Sequence, residues 1–143
     1  RAYETLPDAI KARVEGLKAV HVYQSRHSAR KLMGLDPSRR ERVPEAVIHP
    51  IVRTHPESGR KSLYINPIRI EGIVGMDEPE ALSLLDELLA HATQLAHEYR
   101  HKWQPGDLTI WDNRCLLHKA NGDYDMEQTR YLYRVMLRGD VPV

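Results

Sequence analysis

The residues best suited to chemistry lie near the C-terminal end of this chain. His118 follows the apolar pair Leu116-Leu117, and Arg130 and Arg134 come further along. An imidazole can bind a metal ion, and an arginine guanidinium can hold a carboxylate through two parallel hydrogen bonds. The pattern predicts a metal ligand beside two anion-binding groups. The alternative is a structural histidine with two arginines at a solvent-exposed rim.

A β-prone segment, residues 129–138, carries both arginines. Arg130 and Arg134 would lie on one face of a strand, about 13 Å apart between Cα atoms at about 3.3 Å per residue, so their long side chains could converge on one cavity. The same face would carry Leu132, Met136 and Arg138, and we expect the opposite face to be buried, with Tyr131, Tyr133, Val135 and Leu137.

An iron site built from two histidines and one carboxylate needs a His-x-Asp or His-x-Glu pair in addition to His118. The one match in the sequence is His55-Pro56-Glu57. It stands in a proline-containing turn before Gly59, whereas a rigid ligand pair is expected on a strand. The sequence therefore gives His55 and Glu57 no metal role. Cys115 and His118 would face opposite sides of a strand, which argues against a nucleophile and its base.

Composition limits the classes of partner. The chain has 143 residues, with 21 Lys and Arg against 20 Asp and Glu, so its near-zero net charge favours neither nucleic acid nor an anionic membrane. No apolar run is long enough to span a bilayer. The single cysteine, Cys115, excludes an internal disulfide and is typical of the cytoplasm. The basic run 26–42 is interrupted by Asp36 and Glu41 and is interpreted as a solvated loop, with a nucleic-acid-binding module as the rival.

Hydrophobic periodicity and turn residues predict a mainly β domain with helices, of the sandwich or jelly-roll kind. Two helices are expected, one at 5–21 with Thr5 as its N-cap and one from Glu78 to His97. The remaining predicted elements are an excursion or lid at 22–45, a hairpin of strands 47–55 and 62–66, a second hairpin of 97–103 and 107–112, a short strand at 115–118 and a final strand at 129–138.

Three stretches of the sequence resemble the taurine / dichlorophenoxyacetate (TauD/TfdA) dioxygenase family: "HPIVRTHPESGRKSLYIN", "HATQLAHEYRHKWQPGDLTIWDNRCLLHKANGDYD" and "TRYLYRVMLRGDVP". The resemblance implies a double-stranded β-helix (jelly roll) fold and dependence on Fe(II), 2-oxoglutarate and O2. It also implies hydroxylation of a small anionic substrate of the aryloxyalkanoate or sulfonate type, with release of succinate and CO2. Members commonly self-associate, so a homo-oligomer is expected.

The resemblance assigns roles to individual residues. His118 matches the distal iron-binding histidine, Arg130 the arginine that binds 2-oxoglutarate, and Arg134 the arginine near the substrate, while 111–114 match a structural motif. The family's His-x-Asp pair has no counterpart in this sequence. Residues 1–143 are therefore expected to form the C-terminal portion of one dioxygenase domain, inactive alone. The alternative is a catalytically incompetent, truncated or degenerate member that acts as a binding or structural module.

Overall fold

A computed structural model describes residues 1–28, 44–122, 124–125, 127, 129, 131–139 and 141–143. Most of the predicted lid, and Arg130 with it, lies outside the described residues. Within them, strands outnumber α-helices, as the sequence predicts. The elements in chain order are α1 (Asp8–Val14), β1 (Lys18–His21), β2 (Val47–Pro50), β3 (Val52–Thr54), β4 (Lys61–Leu63), β5 (Ile70–Ile73), α2 (Glu78–Ala92) and a 3₁₀ helix (Leu95–His97).

The strands form two antiparallel sheets, one in the order β2-β1-β5 and one of β3 and β4. Ile51 separates β2 from β3 and joins the sheets. Its N–H donates to the Leu17 carbonyl at 2.9 Å, and its own carbonyl accepts from the Tyr64 N–H at 2.6 Å. Because the Ile51 side chain is fully buried, this bend also lies in the core. The predicted hairpin is confirmed only in β3 and β4, where Val52 pairs with Leu63. The strand predicted over 47–55 is divided at Ile51, and its first part, β2, pairs with β1 instead.

The predicted helix over residues 5–21 is wrong in length. The helix ends at Val14, and Gly16 follows with φ +73°, a left-handed conformation that glycine adopts without steric cost. The chain then enters β1. Thr5 is not the N-cap, because Pro7 occupies that position. The Thr5 hydroxyl oxygen instead lies 3.1 Å from His91 Nε2 and 3.0 Å from His97 Nε2, which ties the N-terminal segment to the end of α2.

The helix α2 packs its apolar face against the core. It ends at Ala92, so the helix predicted to reach His97 is too long, and Leu95–His97 form the 3₁₀ helix instead. Asp77 caps the start of α2, accepting a hydrogen bond from the Glu80 N–H at 2.9 Å. Leu84 and Leu88 are almost fully buried, in a core whose other members are Leu6, Val14, Ala19, Ile51, Ile65, Ile70, Ile73 and Ala81. None of the helices described is long and apolar enough to cross a membrane. Strand β5 was not predicted, because its short sequence contains Gly72, which weakens a strand pattern.

The strands predicted at 97–103, 107–112, 115–118 and 129–138 are absent from the described residues of these segments. Tyr131 is 82% exposed, Tyr133 99% and Leu137 93%, so the face expected to be buried is open. A strand needs a neighbour for its backbone hydrogen bonds, and no described segment pairs with these residues. The Val143 carbonyl does accept a hydrogen bond from the Thr54 N–H at 3.0 Å.

Candidate active-site residues

His118, the predicted metal ligand, is exposed. Its ring packs against the Trp111 indole, with 5.0 Å between ring centroids. The Trp111 indole N–H donates to Asn113 Oδ1 at 3.0 Å, which fixes the orientation of the indole. No described residue forms a hydrogen bond with either imidazole nitrogen of His118, so the ring is held by packing and both nitrogens are available to a ligand.

Asp112 is the centre of a charged network in the same segment. Arg114 donates to this carboxylate from Nε at 2.9 Å and from Nη2 at 2.7 Å, and its backbone N–H donates at 2.8 Å. His55 Nε2 lies 3.0 Å from Asp112 Oδ2, the oxygen that also accepts from Arg114 Nη2. These hydrogen bonds, from Arg114 first and then from His55, hold the pKa of Asp112 well below its usual range. The carboxylate is therefore ionised and saturated with donors.

The His-x-Glu pair of the sequence is engaged in the same network. His55 Nδ1 accepts the backbone N–H groups of Glu57 and Ser58 at 3.3 Å and 3.2 Å, so the imidazole proton resides on Nε2 and points to Asp112. Glu57 accepts from Arg114 Nη1 at 2.9 Å. Both nitrogens of His55 are thus occupied. The turn predicted for His55 and Glu57 is confirmed, and its hydrogen bonds leave no donor atom of His55 free for a metal.

Donor atoms of His55, Asp112 and Cys115 all lie within 4.8 Å of one another, a grouping that could hold a cation. The guanidinium of Arg114 already occupies the Asp112 carboxylate and brings a positive charge to the same place. Burial raises the pKa of the Cys115 thiol above its ordinary value, so the thiol stays protonated at neutral pH. The arrangement therefore favours an ion pair over a metal site. The sequence analysis did not predict this grouping of His55, Asp112 and Cys115, because His55 and Asp112 are far apart in the sequence.

Among the described residues, the structure shows no contact between His118 and Arg134, one of the two predicted anion-binding residues. Arg134 is exposed, and no described residue forms an ion pair with it. Arg130 lies outside the described residues. The structure instead brings together His55, Glu57, Asp112 and Arg114. Of this network, the sequence analysis assigned a role only to the motif 111–114, and that role was structural.

The sequence and the structure were compared with known proteins. The sequence model of the family described as "Taurine catabolism dioxygenase TauD, TfdA family" matches residues 1–136. The alpha-ketoglutarate-dependent 2,4-dichlorophenoxyacetate dioxygenase of Cupriavidus pinatubonensis is 40% identical over 99% of this chain and 48% of its own length. The (S)-phenoxypropionate/alpha-ketoglutarate-dioxygenase of Sphingobium herbicidovorans is 38% identical over 97% of this chain and 50% of its own.

Solved structures agree with the sequence comparison. A taurine dioxygenase from Burkholderia xenovorans aligns with a TM-score of 0.64 at 35% identity, covering 80% of this chain and 35% of that one. The structure of AAD-2 in complex with Mn(II) and N-oxalylglycine aligns with a TM-score of 0.68 at 36% identity, covering 80% and 44%. This chain spans about half the length of the curated relatives it matches. The resemblance seen in the sequence is thereby confirmed, and the chain belongs to the TauD/TfdA dioxygenase family.

Proposed function

We propose that this chain is the C-terminal portion of an Fe(II)- and 2-oxoglutarate-dependent dioxygenase that hydroxylates a small anionic substrate of the aryloxyalkanoate or sulfonate type. The observation that carries the proposal is the 40% and 38% identity, over nearly the whole chain, to two dioxygenases named for aryloxyalkanoates. Relatives named for sulfate esters support the wider anionic class. The complete domain would adopt the jelly-roll fold, in which 107–112, 115–118 and 129–138 become paired strands.

The residues of this chain fit part of an iron site. His118 presents an imidazole whose nitrogens have no hydrogen-bond partner among the described residues, as a ligand requires. His55 and Glu57 do not fit, because Asp112, Arg114 and backbone N–H groups occupy their donor and acceptor atoms. We assign one of three iron ligands to this chain and the other two to the part of the domain it does not cover. When bound, iron would activate O2 and couple 2-oxoglutarate decarboxylation to substrate hydroxylation.

Other residues of this chain would bind the reactants and orient the His118 imidazole. Trp111 would keep the imidazole of His118 in a fixed position by packing against it. The Asp112 network would tie that segment to the turn between β3 and β4. Arg130 would hold the distal carboxylate of 2-oxoglutarate, and Arg134 the anionic group of the substrate, through the planar guanidinium.

The test is made on the polypeptide purified from its natural source, whose intact mass is compared with the 16.5 kDa of this chain. The protein is incubated with Fe(II), 2-oxoglutarate and O2, and with phenoxyacetate or an alkyl sulfonate. We expect a mass about twice that of this chain, and succinate formed in step with hydroxylated substrate. His118→Ala should abolish both. Succinate formation that does not depend on iron, or that survives His118→Ala, would refute the proposal.

A second candidate function is a catalytically incompetent family member that acts as a binding or structural module. The observation that favours it is the engagement of His55 and Glu57, the one His-x-Glu pair of the sequence, in hydrogen bonds. A natural polypeptide of 16.5 kDa that binds Fe(II) no more tightly than its His118→Ala variant would establish this alternative.

We also propose that the protein is cytoplasmic and self-associates. Members of the family commonly self-associate, which supports the second part of this proposal. The exposed apolar side chains of 131–137 do not bear on it, because the complete domain would cover them. Light scattering after size exclusion measures the mass in solution. A strictly monomeric protein at micromolar concentration would contradict this part of the proposal.

A further inference from the structure

Three buried side-chain nitrogen atoms lack a hydrogen-bond partner in the described part of the chain: His21 Nε2, His49 Nδ1 and Arg53 Nε. They belong to one cluster, on β1, β2 and β3, packed around Tyr64. Folded proteins pair almost all buried polar side-chain atoms. Arg53 Nε is always a donor, and each unpaired imidazole nitrogen is a donor in the tautomer that carries its proton there. In those tautomers, one acceptor group would satisfy all three nitrogens.

The geometry of the cluster is compact. The rings of His21 and His49 have centroids 5.2 Å apart, and those of His21 and Tyr64 are stacked at 5.4 Å. The guanidinium carbon of Arg53 lies 5.4 Å from the centre of the Tyr64 ring. One aromatic side chain thus contacts all three residues that carry an unpaired nitrogen.

Arg53 supplies the charge of this cluster. It is only 4% exposed, and no described carboxylate forms an ion pair with it. A buried arginine without an anion is strongly unfavourable, whereas the same arginine bound to a carboxylate by two hydrogen bonds is well satisfied. The cation–π contact with Tyr64 offsets only part of that cost. The missing acceptor should therefore be an anion.

A cleft of about 260 Å³ is lined by residues that include His21, His49, Tyr64, Arg69 and Glu45. Arg53 is not part of this lining and adjoins it through its contact with the Tyr64 ring. Burial, and then the charge of His49, lowers the pKa of His21 to about 4; burial, and then Arg53, lowers that of His49. Both imidazoles are thus neutral at pH 7 and can each donate one N–H, while Arg53 keeps its charge. A group of two neutral donors and one guanidinium should bind a ligand with a single negative charge more readily than it binds a cation.

We propose that His21, His49 and Arg53 form a binding site for a carboxylate group. The planar guanidinium of Arg53 matches the two oxygens of a carboxylate, and the imidazoles supply further N–H donors. This site uses none of His118, Arg130 and Arg134. The carboxylate has two possible sources, a dissolved organic acid or the side chain of Glu45, which is exposed in the lining of the cleft.

The experiment uses the full-length polypeptide that contains residues 1–143, without metal, with ¹³C- and ¹⁵N-labelled histidine, at pH 7. Sodium acetate is added at constant ionic strength, and the imidazole resonances of His21 and His49 are followed by NMR. We expect both to shift along one saturation curve. Arg53→Met should weaken acetate binding at least tenfold, and Arg53→Lys, which keeps the charge but loses the planar fork, should weaken it less. Arg69→Met, in the same cleft, is the control that should leave binding unchanged.

Glu45→Gln distinguishes the two sources. If acetate shifts the resonances in this variant and not in the wild type, Glu45 occupies the carboxylate site in the free protein. If acetate shifts them equally in both, the site takes a dissolved acid. The proposal fails if neither protein shows saturable shifts, or if Arg53→Met binds acetate as well as the wild type while retaining the folded ¹H–¹⁵N spectrum. Because no iron or 2-oxoglutarate is present, failure here leaves the dioxygenase proposal intact.

Discussion

The imidazole of His55 donates a hydrogen bond to the carboxylate of Asp112 at 3.0 Å, although 57 positions separate the two residues. Arg114 binds the same carboxylate and also Glu57, so two contacts connect the turn after β3 to the segment that leads to His118. That segment contains no helix or strand in the described structure. These side-chain contacts therefore do much of the positioning that backbone pairing does elsewhere in the molecule.

Asp112→Asn should lower the free energy of unfolding by about 1–2 kcal/mol. Hydrogen bonds to charged groups contribute about 1.5–3 kcal/mol, and solvent at the partly exposed Asp112 reduces that value. Urea denaturation measures the change. Asp86→Asn, an exposed carboxylate on α2, is the control and should change stability by less than about 0.5 kcal/mol. Equal losses in the two variants would contradict the role given to Asp112.

The variant Asp112→Asn should also change how the free energy of unfolding depends on pH in the acid range. Because the folded pKa of Asp112 is held below that of an unfolded aspartate, about 3.9, its contribution is fully present above that value and is lost as pH falls through the folded pKa. The wild-type protein should lose more stability below pH 4 than Asp112→Asn does. The two denaturation midpoints should therefore converge as the pH is lowered, and parallel curves would be evidence against this linkage.

His21 should make stability depend on pH in a different range. Its folded pKa of about 4 lies below the ordinary value of 6.5, so its contribution is complete above pH 6.5 and is lost as pH falls towards 4. The loss should be about 2 kcal/mol after screening by solvent, since each unit corresponds to about 1.4 kcal/mol. His21→Gln should flatten this part of the profile, measured by urea denaturation. A wild-type slope in His21→Gln would contradict this assignment.

Leu88→Ala should destabilise the fold by about 2–5 kcal/mol, because Leu88 is fully buried where α2 packs on the core. Leu95→Ala makes the same chemical change at a side chain that is 85% exposed and should alter stability by less than about 0.5 kcal/mol. Thermal and urea denaturation measure both. A large effect at Leu95 would show that the segment after α2 is packed in solution.

Under the proposed function, Arg130→Ala should raise the KM for 2-oxoglutarate, and Arg134→Ala should raise the KM for the anionic substrate. Loss of one partner of a desolvated ion pair costs about 2–5 kcal/mol, so each KM should rise by a factor of about 30 or more. Initial rates with each reactant varied in turn give both constants. Arg138→Ala, which changes the next arginine on the same face of the predicted strand, is the control. A wild-type KM value in Arg130→Ala or in Arg134→Ala would contradict the role assigned to that arginine.

The sequence determined the elements whose pattern is local. The apolar stripe and the Asp77 cap of α2 depend on residues within one or two turns, and the β3–β4 hairpin depends on the turn around Gly59. The family, too, followed from contiguous motifs, above all that of residues 111–114 with His118. By contrast, the predicted first helix was too long, because the change from helix to strand after Gly16 depends on β1 pairing with β2 and β5.

Only the tertiary structure decided which distant side chains meet. The contact of His55 with Asp112, and the packing of His21, His49 and Arg53 around Tyr64, join residues from separate strands and turns, so no spacing in the sequence reveals them. The same principle explains the C-terminal strands that did not form. The alternation in 129–138 indicates a propensity to form a strand, but a strand exists only where another segment completes its hydrogen bonds and covers its apolar face.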